Sequence, residues 1–150
     1  MTKLAVSACL MGERCRYNGE AKADAAVIAR VKAGDVLAIC PECLGGLPTP
    51  RLPCEIQGGD GEDVLDGRAK VVDQAGRDVT AAFIKGAQEA LRLCQGAGIT
   101  GAVLKARSPS CGAGTIYDGS FSGRHRPGMG VTAALLKRYG IALSTEEEAE

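Results

Sequence analysis

Three short, unbroken apolar runs constrain this chain more than any other feature: Leu4-Ala5-Val6 within residues 3–9, Val36-Leu37-Ala38-Ile39 within 36–40, and Ala102-Val103-Leu104 within 101–105. None has the i, i+3, i+4 spacing of an amphipathic helix, and each is bounded by a break, so they read as buried strands. Between the first two, residues 21–32 read as a helix. Ala25, Ile28 and Ala29 share a face with the stem of Lys32, and Gly34 follows as a C-terminal stop. Strand, helix and strand in that order predict a right-handed parallel crossover.

The stretch 41–61 carries Pro41, Gly45, Gly46, Pro48, Pro50, Pro53, Gly58, Gly59 and Gly61, too many breakers for a long regular element. It reads as a shaped loop, packed through Leu47, Leu52 and Ile56, and structureless loops beyond about 12–15 residues are usually functional or disordered. A short strand over 68–72 follows. Asp78 then offers an N-cap to a helix over 79–95, on which Phe83, Ala87, Ala90 and Cys94 share a face with Ile84 and Leu91 beside them. Residues 115–117 extend briefly, 120–130 form a glycine-rich basic loop, 131–139 a helix stopped by Gly140, and 141–143 a last strand before the acidic tail 146–150. No internal repeat is present. The alternation predicts an α/β layered fold with a mostly parallel sheet. A chain of 150 residues, 45% hydrophobic, suits one domain over 1–150.

Lys+Arg and Asp+Glu are both 18, so the formal net charge is zero and the chain as a whole has no field to attract nucleic acid or a membrane surface. No run approaches the roughly 20 apolar residues of a membrane span. Val6-Ser7-Ala8-Cys9 has the look of a lipoprotein cleavage box, but too few apolar residues follow Lys3 for a signal peptide, so Cys9 is not expected to be a lipid anchor. Seven cysteines cannot all pair with one another, and a chain this long needs no disulfide staples. A reducing cytoplasm is expected, where thiols serve metals or chemistry.

The positions of those thiols carry the functional argument. Cys9, Cys40 and Cys111 fall at or just beyond the carboxyl ends of the three predicted strands. Ligands of open parallel sheets collect there, so these three thiols are expected to meet at one site. Cys94 lies on the apolar helical face and reads as a small core hydrophobe. Cys15, Cys43 and Cys54 lie in loops near the same end, as bystanders or accessory groups. A catalytic zinc takes three protein ligands and water, a structural one four. Cys40 and Cys43 form the one Cys-x-x-Cys pair, and the lone His125 sits in a basic loop where it reads as solvent-facing. Three cysteines from separate loops equally suit an iron–sulfur cluster with one iron left open.

Ser7-Ala8-Cys9-Leu10-Met11-Gly12, Arg16-Tyr17-Asn18-Gly19, Cys40-Pro41-Glu42, Gly45-Gly46-Leu47-Pro48-Thr49-Pro50-Arg51, Ser108-Pro109-Ser110-Cys111-Gly112, and Tyr117-Asp118-Gly119 with Phe121 occur in that order. Together they resemble the thiouracil desulfidase (TudS) family over residues 3–144. The resemblance implies a Rossmann-like fold and a [4Fe-4S] cluster held by Cys9, Cys40 and Cys111, whose free iron takes the sulfur of a thiolated uracil. It assigns catalytic roles to Glu42 and Ser108, and substrate contacts to Ser108 and Arg16. Asn18 departs from the Arg-Tyr-Asp-Gly type of the second motif.

The chemistry of those residues suits the assignment. An open iron is a Lewis acid that prefers soft sulfur and polarises a thiocarbonyl. Water is then expected to add to the carbon with Glu42 taking or relaying its proton and Ser108 hydrogen-bonding the pyrimidine or stabilising the charge that builds on it, with no net electron transfer. Blander readings stand beside these. Glu42 can cap a turn, Ser108 and Ser110 can satisfy a turn backbone, and Arg16, Arg51 and Lys105 can be solvated charges. Gly128-Met129-Gly130 precedes a helix whose N-terminus could receive an anion, with Arg124, His125 and Arg126 nearby, if the substrate is a nucleotide. Neutral charge argues against tight tRNA binding. The competing functions are an iron–sulfur redox sensor or electron carrier, which a fourth cysteine ligand would favour, and a zinc-stabilised binding module.

Overall fold

The apolar runs become the centre of a parallel sheet. The computed structural model describes residues 3–11, 35–48 and 51–145. Strand β1 (Lys3–Ser7) pairs in parallel with β2 (Asp35–Ile39) on one side and with β5 (Gly101–Leu104) on the other, and β5 pairs in parallel with β8 (Ala142–Thr145). The order across the sheet is β2-β1-β5-β8. Ala5, Val6 and Leu104 are wholly buried, which is why the inner strands β1 and β5 read as unbroken apolar runs rather than as alternating ones, whereas on the flanking β2 Ile39 is buried and Ala38 exposed. The first strand ends two residues earlier than predicted, because Ala8–Met11 winds into a 3-10 turn. The second stops before Cys40, since Pro41 opens the one-turn helix α1 (Pro41–Leu44) at the position where a helix tolerates proline. The last strand runs on to Thr145, beyond the predicted 141–143. The helix predicted over 21–32 lies outside the described residues, whereas the parallel pairing of the strands that flank it is observed.

Two helices cover the described face of the sheet. Helix α3 (Thr80–Gly96) buries Phe83, Gly86, Ala87, Ala90, Leu91 and Cys94, a recurrence of three or four residues, as its sequence pattern predicted. It starts one residue later than expected, and Asp78 still accepts a hydrogen bond from Thr80 N–H at 2.9 Å. Helix α4 (Val131–Arg138) buries Val131, Thr132, Ala133, Ala134 and Leu136. Ala5, Ile39, Ala102 and Leu104 from the sheet pack with Ala90, Leu91 and Cys94 of α3 and Ala133 and Leu136 of α4 in the main core.

The breaker-rich stretches hold regular structure that composition concealed. Within the predicted loop over 41–61 lies β3 (Cys54–Gln57), antiparallel to β4 (Lys70–Asp73), with helix α2 (Gly61–Leu65) between them. Asp60 caps α2 by accepting from Glu62 and Asp63 N–H, and Asp63 returns a bond to Asp60 N–H at 3.0 Å. The predicted loop over 120–130 likewise contains β7 (His125–Met129), antiparallel to β6 (Ala113–Tyr117). Pro127 and Gly128 argue against a central strand but suit a two-stranded ribbon, whose outer edge has no ladder to feed and where Met129 N–H donates instead to Asp60 Oδ2 at 3.1 Å. Ile56, Val71 and Ile116 of these hairpins meet Val64, Phe83, Ala87 and Val131 in a second core. Among the described residues no helix is long and apolar enough to cross a membrane.

Strand order also fixes where a ligand can enter. From β1 the chain goes first to β2 on one flank and only later fills the other flank with β5. The loops after β1 and β5 therefore part company at the carboxyl end of the sheet, which opens a crevice between them.

Candidate functional site

That crevice is a cavity of about 460 Å³, and Cys9, Cys40 and Cys111 all line it, together with Glu42, Arg51 and Ser108. Three loops supply the thiols. Cys9 sits in the 3-10 turn after β1, buried at 7% exposure. Just before the turn, Ser7 Oγ at the end of β1 accepts from the N–H of Lys105, the residue after β5, at 2.9 Å. Cys40 is the extended residue before α1, and its Sγ lies 3.4 Å from Cys43 Sγ one helical turn on. Cys111 belongs to the loop over 108–112 after β5. Burial pushes its thiol up to about 12, with hydrogen bonds from the Ser7 and Ser110 side chains drawing it down and the charges of Glu42 and Cys40 adding to the rise. Such a thiol stays protonated in water and loses its proton on binding a metal.

The Cys111 loop is held at both ends of its turn. Ser108 Oγ accepts from Ser110 N–H at 3.1 Å and from Cys111 N–H at 3.0 Å, the turn-satisfying role the bland reading gave it. The loop is also seated on the start of α4: Val131 N–H donates to Pro109 O, Thr132 and Ala133 N–H to Ser110 O, and Ser110 Oγ meets Thr132 Oγ1 at 2.7 Å. These carbonyls take the N–H groups that an anion would need. The helix start after Gly128-Met129-Gly130, where the sequence left room for a phosphate if the substrate were a nucleotide, therefore offers no such site. This helix start is already filled by the chain itself. Arg124 and His125 are exposed, and His125 packs edge-on to Tyr117 at 4.8 Å.

Glu42 stands in the first turn of α1, two residues past Cys40. Arg51 Nε donates to its Oε2 at 2.8 Å, a second guanidinium N–H donates to the same oxygen, and Arg51 Nη1 reaches Pro48 O at 3.1 Å. The side chains are 7% and 16% exposed, so Arg51 is not the solvated charge its sequence context predicted. Burial alone would lower the guanidinium, but the Glu42 charge and hydrogen bond raise it. Lys105 also lines the cavity, with Nζ donating to Ala106 O at 3.1 Å.

Of the other thiols, Cys54 lines the cavity and is pushed up to about 12, first by burial and then by the charge of Glu42. Cys43 is exposed and Cys94 buried in the core. Arg16, Cys15 and Asn18 lie outside the described residues. Sequence reasoning passed over two features of the wall: Tyr117 and Phe121 line the cavity, and buried Glu55 holds the Phe121 loop. The Tyr117-Asp118-Gly119 motif was the available signal.

Among the described residues, no three Cys, His, Asp or Glu side chains gather closely enough to hold one metal ion. A zinc ion draws its thiolates to about 2.3 Å from a single point. An iron–sulfur cluster spreads them over different irons, so thiols arriving from three loops around one cavity fit it, and soft sulfur donors suit it chemically.

Fold and site together define an α/β protein with a parallel sheet and a cysteine-lined cleft at its switch point. Residues 4–148 match the family described as 2-thiouracil desulfurase, and the chain belongs to that family. It is an enzyme of the desulfurase class. It is 48% identical over 143 residues, 95% of each chain, to the uncharacterized protein YbbK of Bacillus subtilis (strain 168). Among solved structures it is similar to the [4Fe-4S]-dependent thiouracil desulfidase TudS, with a TM-score of 0.85 and 46% identity, over 99% of this chain and 93% of that one.

Proposed function

We propose that this enzyme replaces the sulfur of a thiouracil by oxygen from water, releasing uracil and sulfide, at a [4Fe-4S] cluster held by Cys9, Cys40 and Cys111. The observation that carries the reading is that three thiols from separate strand ends and one paired carboxylate border the same cavity. When bound, the cluster supplies an open iron, a Lewis acid with affinity for sulfur that polarises the thiocarbonyl.

The chain's own groups do the rest. Glu42 accepts a proton from the attacking water. Both guanidinium bonds fall on Oε2, so Oε1 is the oxygen that receives it, and Arg51 fixes the plane in which it waits. Ser108 has two acceptor lone pairs, and two backbone N–H groups fill them. Its O–H is thus committed to donating, and the acceptor it meets in the cavity is a pyrimidine oxygen or nitrogen. Turn stabilisation and catalysis are the two ends of one hydroxyl. Arg16 is retained as a substrate contact. The substrate is a thiolated pyrimidine without a required phosphate, since the start of α4 is occupied.

Anaerobic reconstitution followed by incubation with 2- and 4-thiouracil tests this. Uracil and sulfide are expected in equal amounts, without added reductant, from at least one of the two. Protein with full iron and sulfide content that releases neither product would end the proposal.

A further inference from the structure

Strand β3 grips the loop after β6 with two side chains from alternate positions. Glu55 Oε1 accepts from Gly119 N–H at 3.0 Å and from Phe121 N–H at 3.1 Å, and Gln57 Nε2 donates to Gly119 O at 3.0 Å. Residues i and i+2 of a strand share a face, so one face of β3 holds this loop while Ile56, on the other, packs into the core. The loop is pressed close enough that a Cβ on Gly119 would stand 2.5 Å from Ile56 O. Glu55 is only 8% exposed, so a carboxylate has been taken out of water to make these bonds.

What the grip presents is Phe121. Its φ is 55°, in the left-handed region that favours glycine, and glycines do occupy the positive-φ positions on either side, Gly119 at 93° and Gly123 at 80°. A large side chain is thus kept at the one position of this turn where its absence would relieve the backbone. Among the described residues, Phe121 is not part of the core around Leu104 or of the core around Phe83. It lines the cavity that holds the three cysteines, with Tyr117.

We propose that Phe121 is the face against which the substrate's planar ring stacks, and that Glu55 is the positioning residue that holds it there. This rests on the thiouracil reading and deepens it: the site selects conjugated six-membered heterocycles, not thiocarbonyls in general. The iron-bound end of the substrate is the same for any thioamide, whereas only a flat π-face gains from an aromatic platform.

The test compares 2-thiouracil with 5,6-dihydro-2-thiouracil, which keeps the thiocarbonyl and its hydrogen-bonding edge but puckers the ring. On reconstituted wild type the dihydro compound is expected to show the higher KM. Phe121→Ala should raise KM for 2-thiouracil roughly 10-fold with kcat changed less than about twofold, and bring the two compounds' KM values together. Glu55→Leu should move KM in the same direction, and Glu55→Gln, which keeps an acceptor oxygen, should restore most of it. Iron content and cluster absorbance of the Phe121 variants are expected to match wild type. An unchanged KM in Phe121→Ala, or a ring preference that survives it, overturns the inference while leaving the desulfidase activity standing. Wild type that is fully loaded and inactive on every thiouracil overturns both.

Discussion

Gly86 of α3 lies against the carbonyl of Pro41: a Cβ at position 86 would stand 1.9 Å from that oxygen. The contact is mirrored by Gly45, whose Cβ would stand 2.0 Å from Ala82 O. Helices α1 and α3 thus meet backbone to backbone, and the depth at which Cys40 and Glu42 sit is set by the lack of side chains at two glycines. Gly86→Ala should push α1 outward at a cost of about 1–3 kcal/mol. Lower thermal midpoint together with reduced iron uptake on reconstitution is the expected pair of readouts. A stable variant with full iron would show that α1 tolerates the shift.

Replacing Cys9, Cys40 or Cys111 singly by Ser should abolish stable iron incorporation. Cys43→Ala and Cys54→Ala should retain it, although Cys43 Sγ is 3.4 Å from Cys40 Sγ and Cys54 lines the cavity. Iron and acid-labile sulfide per chain decide the matter. Loss of iron on replacing Cys43 would instead indicate a fourth protein ligand and count against the open iron of the proposed mechanism.

Glu42→Gln should keep the cluster spectrum and lower kcat by about 10²- to 10⁴-fold, the range of positioned acid–base help. Arg51→Lys keeps a positive charge but gives up the paired Nε and Nη2 donors on Oε2. It is expected to lower kcat on the order of tenfold, about 1.4 kcal/mol in the barrier. Steady-state rates on fully loaded protein check both, and equal losses in the two variants would mean that Arg51 does more than orient Glu42.

Acid should unfold the protein through a specific set of carboxylates. Burial pushes Asp73 up, but N–H donors of Arg77 and Ala75 and the Arg77 guanidinium outweigh it and leave it below the usual carboxylate range. Asp63 is lowered by the Asp60 N–H, Asp78 by the Thr80 hydroxyl, and Asp118 by the Ser120 hydroxyl. A carboxylate held lower in the folded chain stabilises it above the unfolded value and ceases to as pH falls through the folded one. The thermal midpoint is therefore expected to be flat from pH 7 to about 5 and to fall below about 3.9. Asp73→Asn should make that fall shallower.

The inner strands are legible in the sequence because their burial leaves no room for polar residues: the runs at 4–6 and 102–104 meet protein, not water, while the flanking run at 36–39, with Ile39 buried and Ala38 exposed, is apolar enough to read the same way, and the thiols just beyond all three followed from sheet topology. Strand β3 was hidden because four residues between Pro53 and Gly58 are too few to show a period, and β7 because Pro127 and Gly128 suit a strand whose outer edge pairs with no further strand. Arg51 was misread for a different reason. Its burial depends on Glu42 from another element, and no local pattern records a partner nine residues away. The family resemblance named Glu42 and Ser108, but only the hydrogen bonds show that Ser108 has its acceptors filled and a proton left to give.

The two hairpins have a consequence for how such a site can change. All three proposed ligands stem from the ends of parallel strands, while the aromatic wall comes from β6 and its loop, gripped by β3. Assembly of the inorganic centre and choice of organic ring are thus written in different parts of the chain. Exchanging the hairpins would allow a descendant to accept another sulfur-bearing heterocycle without relearning how to hold iron.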